Sequence, residues 1–421
     1  MIDTEIFCYK GRTRNNLSGR GTMITINSYL HREVLSDIIL RWMYGDVHPS
    51  DTNLITQIVH FNNVYVSRYL KIFSQNLFMA LHHSVLQTKP ATLKSDLKDI
   101  IIVNPTYRNE RIEELISNYQ MEPGRFYRET PFHATLFFIQ RDGFDEYIGS
   151  SRIKRVHRLA EKGARRIIDW MYDTIKRHAD LLADDRARRL GIPRHQLLTP
   201  QEEMFEEFLK AENRLLEDFK HGRKIQDERK MVINDVAGMK VILEDANQHR
   251  LLALLSDMDH CEVVEEERHT GKYNATNLLL RFSPPKEQLL IDPLGRKIIN
   301  IMQKRGLNPD NLNQKFADFV RTGEDSICLE IIVSNYQEML ESEIGRCMHE
   351  DRIIEQRLHQ PYCGHLAKNI EYLMEYLFTF PASPRAELGD LPIKIWNRYL
   401  PDYFEDVVRK LFHVPPDMVM E

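Results

Sequence analysis

Three stretches of this chain bring together residue types that handle phosphate groups. The first is a run of bases, Arg152, Lys154, Arg155, Arg158, Lys162, Arg165 and Arg166, in which Glu161 is the one acid. On a helix Arg155, Arg158 and Lys162 fall at steps of three and four and share a face. Such a face suits the charges of a triphosphate. It also suits a solvated surface, or ion pairs with the acids between 202 and 218. The second is Ile233-Asn234-Asp235-Val236-Ala237-Gly238-Met239-Lys240-Val241-Ile242, an acid beside small residues ahead of an apolar strand. A carboxylate at a strand edge can hold Mg²⁺, which asks for one or two protein carboxylates besides phosphate oxygens and water. The plainer reading is an Asp in a turn. The third is Ile327-Cys328-Leu329-Glu330-Ile331-Ile332-Val333, where Glu330 is the one charge in an apolar strand. A carboxylate buried there needs a metal or cation partner. Otherwise it points to the solvent side of a half-covered sheet.

Two other constellations compete. Cys347, His349, His359, Cys363 and His365 are of the types that bind zinc, but their spacing fits no standard zinc pattern. Arg189 and His195 have the spacing of a pair found in some helical ribonucleases, one that also arises by chance.

These residues need elements to position them. Apolar residues from Leu30 to Met43 recur at helical spacing behind Ser28 as a candidate cap, and a second helical pattern runs from about Asn53 to Leu86. The chain reads as charged and helical from 152 to about 230, with a break at Gly191-Ile192-Pro193 and a new start at Thr199-Pro200. From 231 the period changes. Met231–Glu244, Cys261–His269, Ala275–Phe282 and Ile327–Ser334 read as strands, with a helix over His249–Met258. Helices return after Asn335. The expected fold is α+β, a mixed sheet with helical additions at both ends. It divides into a mainly helical 1–150, a core over 151–352 with a helical insertion at 167–230, and a helical 353–421.

With 57 basic and 62 acidic residues in 421, the net charge of −5 argues against a general nucleic-acid coat. No apolar run approaches the ~20 residues of a membrane helix. The five cysteines are odd in number and irregularly spaced, and the start carries no basic-then-apolar leader pattern, so a cytoplasmic setting is expected.

Taken together, the three stretches resemble the synthetase domain of the RelA/SpoT family, which has a nucleotidyltransferase-like fold. These enzymes move a diphosphate from ATP to a ribose 3′-hydroxyl, usually of GDP or GTP. Arg152-Ile153-Lys154 with Lys162 is similar to the family's R-x-K…K segment. Asp235-Val236-Ala237-Gly238-Met239-Lys240-Val241 is similar to D-[LI]-x-G-[IVM]-R-V, and Leu329-Glu330-Ile331-Ile332-Val333-Ser334 to the later Glu strand. Lys272-Tyr273-Asn274-Ala275-Thr276-Asn277 occupies the place of G-Y-x-S-x-H, with Ala275 and Asn277 for Ser and His. The resemblance covers roughly 150–352. It implies Asp235 and Glu330 as catalytic and Mg²⁺-binding carboxylates, and Arg152, Lys154, Arg158, Lys162 and Lys240 on the ATP phosphates. Tyr273 and Asn277 would meet the acceptor. The partners implied are ATP and a nucleotide or RNA 3′-end, with no membrane and with a second copy of the chain as a further candidate. The ATP side keeps more of the pattern than the acceptor side. The alternative is a degenerate synthetase fold that senses a nucleotide or serves as an interaction scaffold.

An aromatic stacked on a base contributes about 1–3 kcal/mol. Tyr273→Ala should therefore weaken acceptor binding by about that amount, and more than it weakens ATP binding. Calorimetry with GDP and with ATP measures both, and equal GDP affinity in the two proteins would remove Tyr273 from the site.

Overall fold

Leu278, Leu280 and Phe282 alternate with half-exposed or exposed residues, as do Ile327, Leu329, Ile331 and Val333. Period-two burial of this kind makes strands with one face under a helical layer. The computed structural model describes residues 24–141, 143–223, 225, 231–271, 274–345, 348–359, 362–383 and 387–398. Its elements in chain order are β1 (Ile24–Ile26), α1 (Arg32–Met43), α2 (Asp51–His82), β2 (Gln87–Leu93), α3 (Lys94–Val103), α4 (Glu110–Met121), β3 (Pro131–Arg141) and β4 (Phe144–Ile153). Then come α5 (Val156–Leu190), α6 (Gln201–Lys220), β5 (Met231–Ile233), β6 (Ala237–Ile242), α7 (Gln248–Asp257), β7 (Cys261–His269), β8 (Ala275–Phe282), α8 (Lys286–Leu289), α9 (Arg296–Lys304) and α10 (Leu312–Thr322). The last are β9 (Ile327–Ser334), α11 (Tyr336–Leu340), a π-helical turn over Glu341–Gly345, α12 (Met348–Leu358) and α13 (His365–Thr379).

The fold is mixed α/β. Seven strands form one sheet in the order β2-β3-β4-β6-β9-β8-β7, and β1 pairs with β5 in a separate parallel ribbon. Every neighbouring pair in the large sheet is antiparallel except β6 and β9. Helix α2 packs against one face through buried aromatics: the Phe73 ring lies 4.9 Å from Phe282 and the Phe78 ring 4.6 Å from Phe137. The opposite face is covered only in part. Leu97, Ile101, Ile112 and Ile116 of α3 and α4 join Leu340 of α11 over Phe132, Leu136 and Phe138 of β3. Beyond them Gly238, Lys240, Glu330, Ile332 and Asn277 remain half-exposed.

Several expectations are corrected here. The boundary at 150 falls inside β4, and β2, β3 and β4 belong to the same sheet as β6–β9. Arg152 therefore sits on a strand, and the helix begins only at Val156. Met231–Glu244 is two strands, broken at Asn234-Asp235-Val236. Ser28 caps nothing. Helix α1 starts after His31, and the Ser28 hydroxyl donates instead to the Cys328 carbonyl at 2.8 Å. No helix among the described residues is long and apolar enough to cross a membrane.

Gly149 shows how tightly β4 and β6 meet. Its φ is +152°, and a Cβ there would overlap the Lys240 carbonyl oxygen and the Phe78 ring. Gly149→Ala should cost about 3 kcal/mol, the sum of a disfavoured backbone region and an overpacked core. Urea unfolding measures this directly, and a loss below about 1 kcal/mol would contradict the packing described.

Candidate functional site

The parallel pairing of β6 with β9 sets Gly238 opposite Glu330, and the antiparallel pairing of β4 with β6 sets Arg152 opposite the same glycine. Residues in register point to one face, so Arg152 and Glu330 flank a position without a side chain. A Cβ on Gly238 would lie 3.8 Å from a Glu330 carboxylate oxygen. The glycine thus keeps the space above Glu330 open.

Asp235 lies in the bend that enters β6. Two backbone ties hold that bend. The Lys154 amide donates to the Val236 carbonyl at 2.8 Å, and the Asn27 amide donates to the Ile233 carbonyl at 2.9 Å. Asn27 also donates from its side chain to Asn234 Oδ1 at 2.7 Å and accepts the Cys328 amide at 3.0 Å. Asn27 and Ser28 thereby stitch the bend before β6 to the start of β9. Sequence reasoning missed this pair, since their partners lie more than 200 residues away.

The Asp235 carboxylate forms ion pairs with both the Lys154 and the Lys162 ammonium. Asp235 and Lys154 are 24% and 18% exposed, and Lys162 is 35% exposed. Burial pushes Asp235 up, but the two lysines outweigh it and hold the carboxyl well below its ordinary range. Burial pulls Lys154 down to about 8 against the attraction of Asp235. Burial raises Glu330 from its ordinary value, with Lys154 pulling it back and Asp235 adding to the rise. No described residue hydrogen-bonds the Glu330 carboxylate. Two neighbouring carboxyls whose surroundings drive them apart are the usual arrangement of an acid–base pair.

The other expected residues are placed differently. Lys240, two residues beyond Gly238, turns to Glu343 with Nζ 3.3 Å from Oε1. Arg158 pairs with Glu161, which also takes two bonds from Arg357 at 2.9 and 3.0 Å. Asn277 shares the face of Glu330 but contacts His269, Nδ2 to Nε2 at 3.1 Å. Tyr273 lies outside the described residues, as does Cys347. His359 is held to the Glu355 carbonyl at 2.9 Å, and Cys363 is exposed. Arg189 turns back to the Asp185 carbonyl at 3.3 Å.

Among the described residues no three His, Cys, Asp or Glu side chains are grouped to hold a metal. Asp235 and Glu330 are therefore a two-carboxylate set, which fits Mg²⁺ on a polyphosphate and not a protein-only cage. A cleft of about 600 Å³ opens elsewhere, at the ends of β8 and β9 under α7. Its strand residues Thr276, Leu278 and Val333 alternate with Asn277 and Ile332, so they belong to the face opposite Glu330.

Around the two carboxylates lie Lys154, Lys162 and Arg152, and beside them Lys94 and Lys240 meet Glu343. No family model, no curated protein and no solved structure matches the chain.

The two carboxylates should differ in stability tests. Asp235→Asn strands two ammoniums and should cost about 1–3 kcal/mol, discounted because Lys162 is partly screened by solvent. Glu330→Gln removes a carboxyl whose ionisation the fold disfavours. A raised folded pKa contributes stability that is fully present below the unfolded pKa and is lost as pH rises. The Gln variant should therefore match wild type near pH 4 and exceed it at pH 7.5 in thermal melts. A variant less stable than wild type at pH 7.5 would contradict this environment.

Proposed function

We propose that the chain transfers a diphosphate from ATP to the 3′-hydroxyl of a nucleotide or of an RNA end, with Mg²⁺. The observation that carries the reading is the convergence of Asp235, Glu330, Lys154, Lys162 and Arg152 on one half-open sheet face, around a glycine that leaves room for substrate.

Asp235 would hold Mg²⁺, with Glu330 either sharing the ion or left outside it as the base, and the ion when bound supplies positive charge to the ATP phosphate oxygens. Lys154, Lys162 and Arg152 neutralise the charge that builds on those oxygens as the β-phosphorus is attacked. The bond from the acceptor O3′ to the β-phosphorus forms, the bridge to the α-phosphate breaks, and AMP leaves with its electron pair. Glu330, with its affinity for protons raised by burial, takes the proton of the attacking hydroxyl. The acceptor would meet Asn277 and Tyr273. Ala275 and Asn277 in place of the family's Ser and His favour a relaxed preference for guanine.

A second reading has its own support. Asp235 is already neutralised by two lysines, and Lys240 by Glu343. A chain whose ionic groups satisfy one another is also what a non-catalytic scaffold would keep.

Incubation with γ-labelled ATP, Mg²⁺ and a panel of GDP, GTP and tRNA separates the two. Transfer of label with release of AMP is expected. Glu330→Gln should lower kcat by about 10²–10⁴-fold, the usual contribution of a positioned base. Because Lys154 titrates near 8, kcat/KM should fall above about pH 8. Lys154→Arg should move that limb to higher pH. Label that stays on ATP with every acceptor would favour the scaffold.

A further inference from the structure

At the carboxyl ends of β6 and β9 the chain parts to opposite faces of the sheet. Strand β6 leads through Asp245 into α7, whose Leu251 and Leu255 join the core cluster of α2. Strand β9 leads through Asn335 into α11, whose Tyr336, Met339 and Leu340 join the cluster of α3 and α4 on the other face. Adjacent parallel strands whose chains leave to opposite sides open a crevice beyond their carboxyl ends, which is where open parallel sheets take their ligands. The cleft under α7 is that crevice. Asp245, Gln248 and His249 line it after β6, and Ser334, Asn335 and Glu338 line it at the end of β9. Its volume of about 600 Å³ falls within the ~300–1,000 Å³ of small-molecule sites.

The lining says what kind of molecule fits. The floor is aliphatic, with Leu251, Leu278 and Val333 buried in it. No Phe, Tyr or Trp lines the cleft among the described residues, so a base finds no such ring to stack on. The rim is acidic. Asp245, Glu266 and Glu338 come from three separate segments, and Arg268 is the one Lys or Arg among the described lining residues. The Asp245 carboxylate accepts Gln248 Nε2 at 2.9 Å, and the Glu338 carboxylate accepts Asn274 Nδ2 at 2.6 Å. These donors are neutral amides and leave the acids their charge. Three carboxylates around one cleft repel a phosphate, so neither ATP nor an RNA end suits it.

Ser334 adds an independent sign. It lines the cleft, it is 2% exposed, and its hydroxyl meets no hydrogen-bond partner among the described residues. A buried polar group left so is costly until something bonds it. An ammonium carries three donors and can serve a hydroxyl and a carboxylate together.

We propose that this cleft binds an aliphatic diamine, with the methylene chain on Leu251, Leu278 and Val333 and the two ammonium groups among Asp245, Glu266 and Glu338. A chain of carbons charged at both ends matches an apolar floor between acids. The proposal rests on the cleft and its lining, and it holds or fails whether or not the chain transfers diphosphate.

Putrescine, 1,4-diaminobutane, is the probe, titrated into the full chain by calorimetry at about 0.15 M salt, where distant charges are screened. Saturable binding is expected. n-Butylamine has the same carbons and a single ammonium, and it should bind about ten-fold or more weakly, as expected for loss of one charge-assisted contact. Glu266→Gln combined with Glu338→Gln should weaken putrescine by about the same factor. Glu265→Gln removes a charge from the same strand outside the cleft and should leave binding unchanged. Putrescine without saturable binding, equal binding of the two amines, or a double variant that binds like wild type would overturn the proposal. So would a Glu265→Gln protein weakened as much as the double variant. Circular dichroism checks folding. If the double variant does not fold, the melting temperature of wild type is the readout. Putrescine should raise it, and n-butylamine at equal concentration by clearly less. An equal rise with the two amines would overturn the site.

Discussion

The pairing of β6 with β9 constrains the rest of the molecule. A parallel pair cannot be closed by a hairpin, so the chain must cross over between Ile242 and Ile327. It does so through α7, the β7–β8 hairpin and α8 to α10, and these elements complete the sheet edge and much of the core. The same pairing decides the chemistry. It brings the bend before β6 beside the middle of β9, so an aspartate and a glutamate far apart in the chain share one electrostatic environment. The ties made by Asn27 and Ser28 to Asn234 and Cys328 hold that registry at its open end.

The half-open face gathers charges that the fold has to compensate. Several cations stand close together on this face, and they repel one another. The fold answers by pairing them internally. Asp235 takes Lys154 and Lys162, and Glu343 takes Lys94 and Lys240. These pairs are mostly shielded from water, so they keep the framework defined. Glu330 is different: it lies among the same charges without a hydrogen bond from a described residue, and it carries a raised proton affinity. Groups held in that state are more often used than merely tolerated.

The parts of the fold that were legible share one property. Strands β8 and β9 and helix α7 were read close to their observed bounds, because each buries one face and shows its period in its own residues; β7 was read from its own residues too, although it buries none of them. Strands β2 to β4 were not read. In β3, Phe132, Leu136 and Phe138 serve the cluster under α3 and α4, while Phe137 and Ile139 serve the cluster over α2. A strand buried on both faces loses its alternation. The assignment of Arg152 to a helix failed for the same reason: Ile148 is buried while Arg152 at the end of the strand is not, and the basic run after it hides the boundary at Ile153.

At the site, the sequence by itself determined which groups are present: one carboxylate ahead of an apolar strand, one inside another, and a basic run preceding them. That Gly238 leaves room beside Glu330 came only from the register of β6 with β9. The sequence could not say which cation meets which acid. Lys240 stands in the motif beside Asp235, yet its partner is Glu343, 103 residues on, and Lys94 finds the same acid from 249 residues away. Those choices were made by the tertiary structure. Ion pairs are settled by distance and desolvation after the backbone has packed, and neither quantity is written in local spacing.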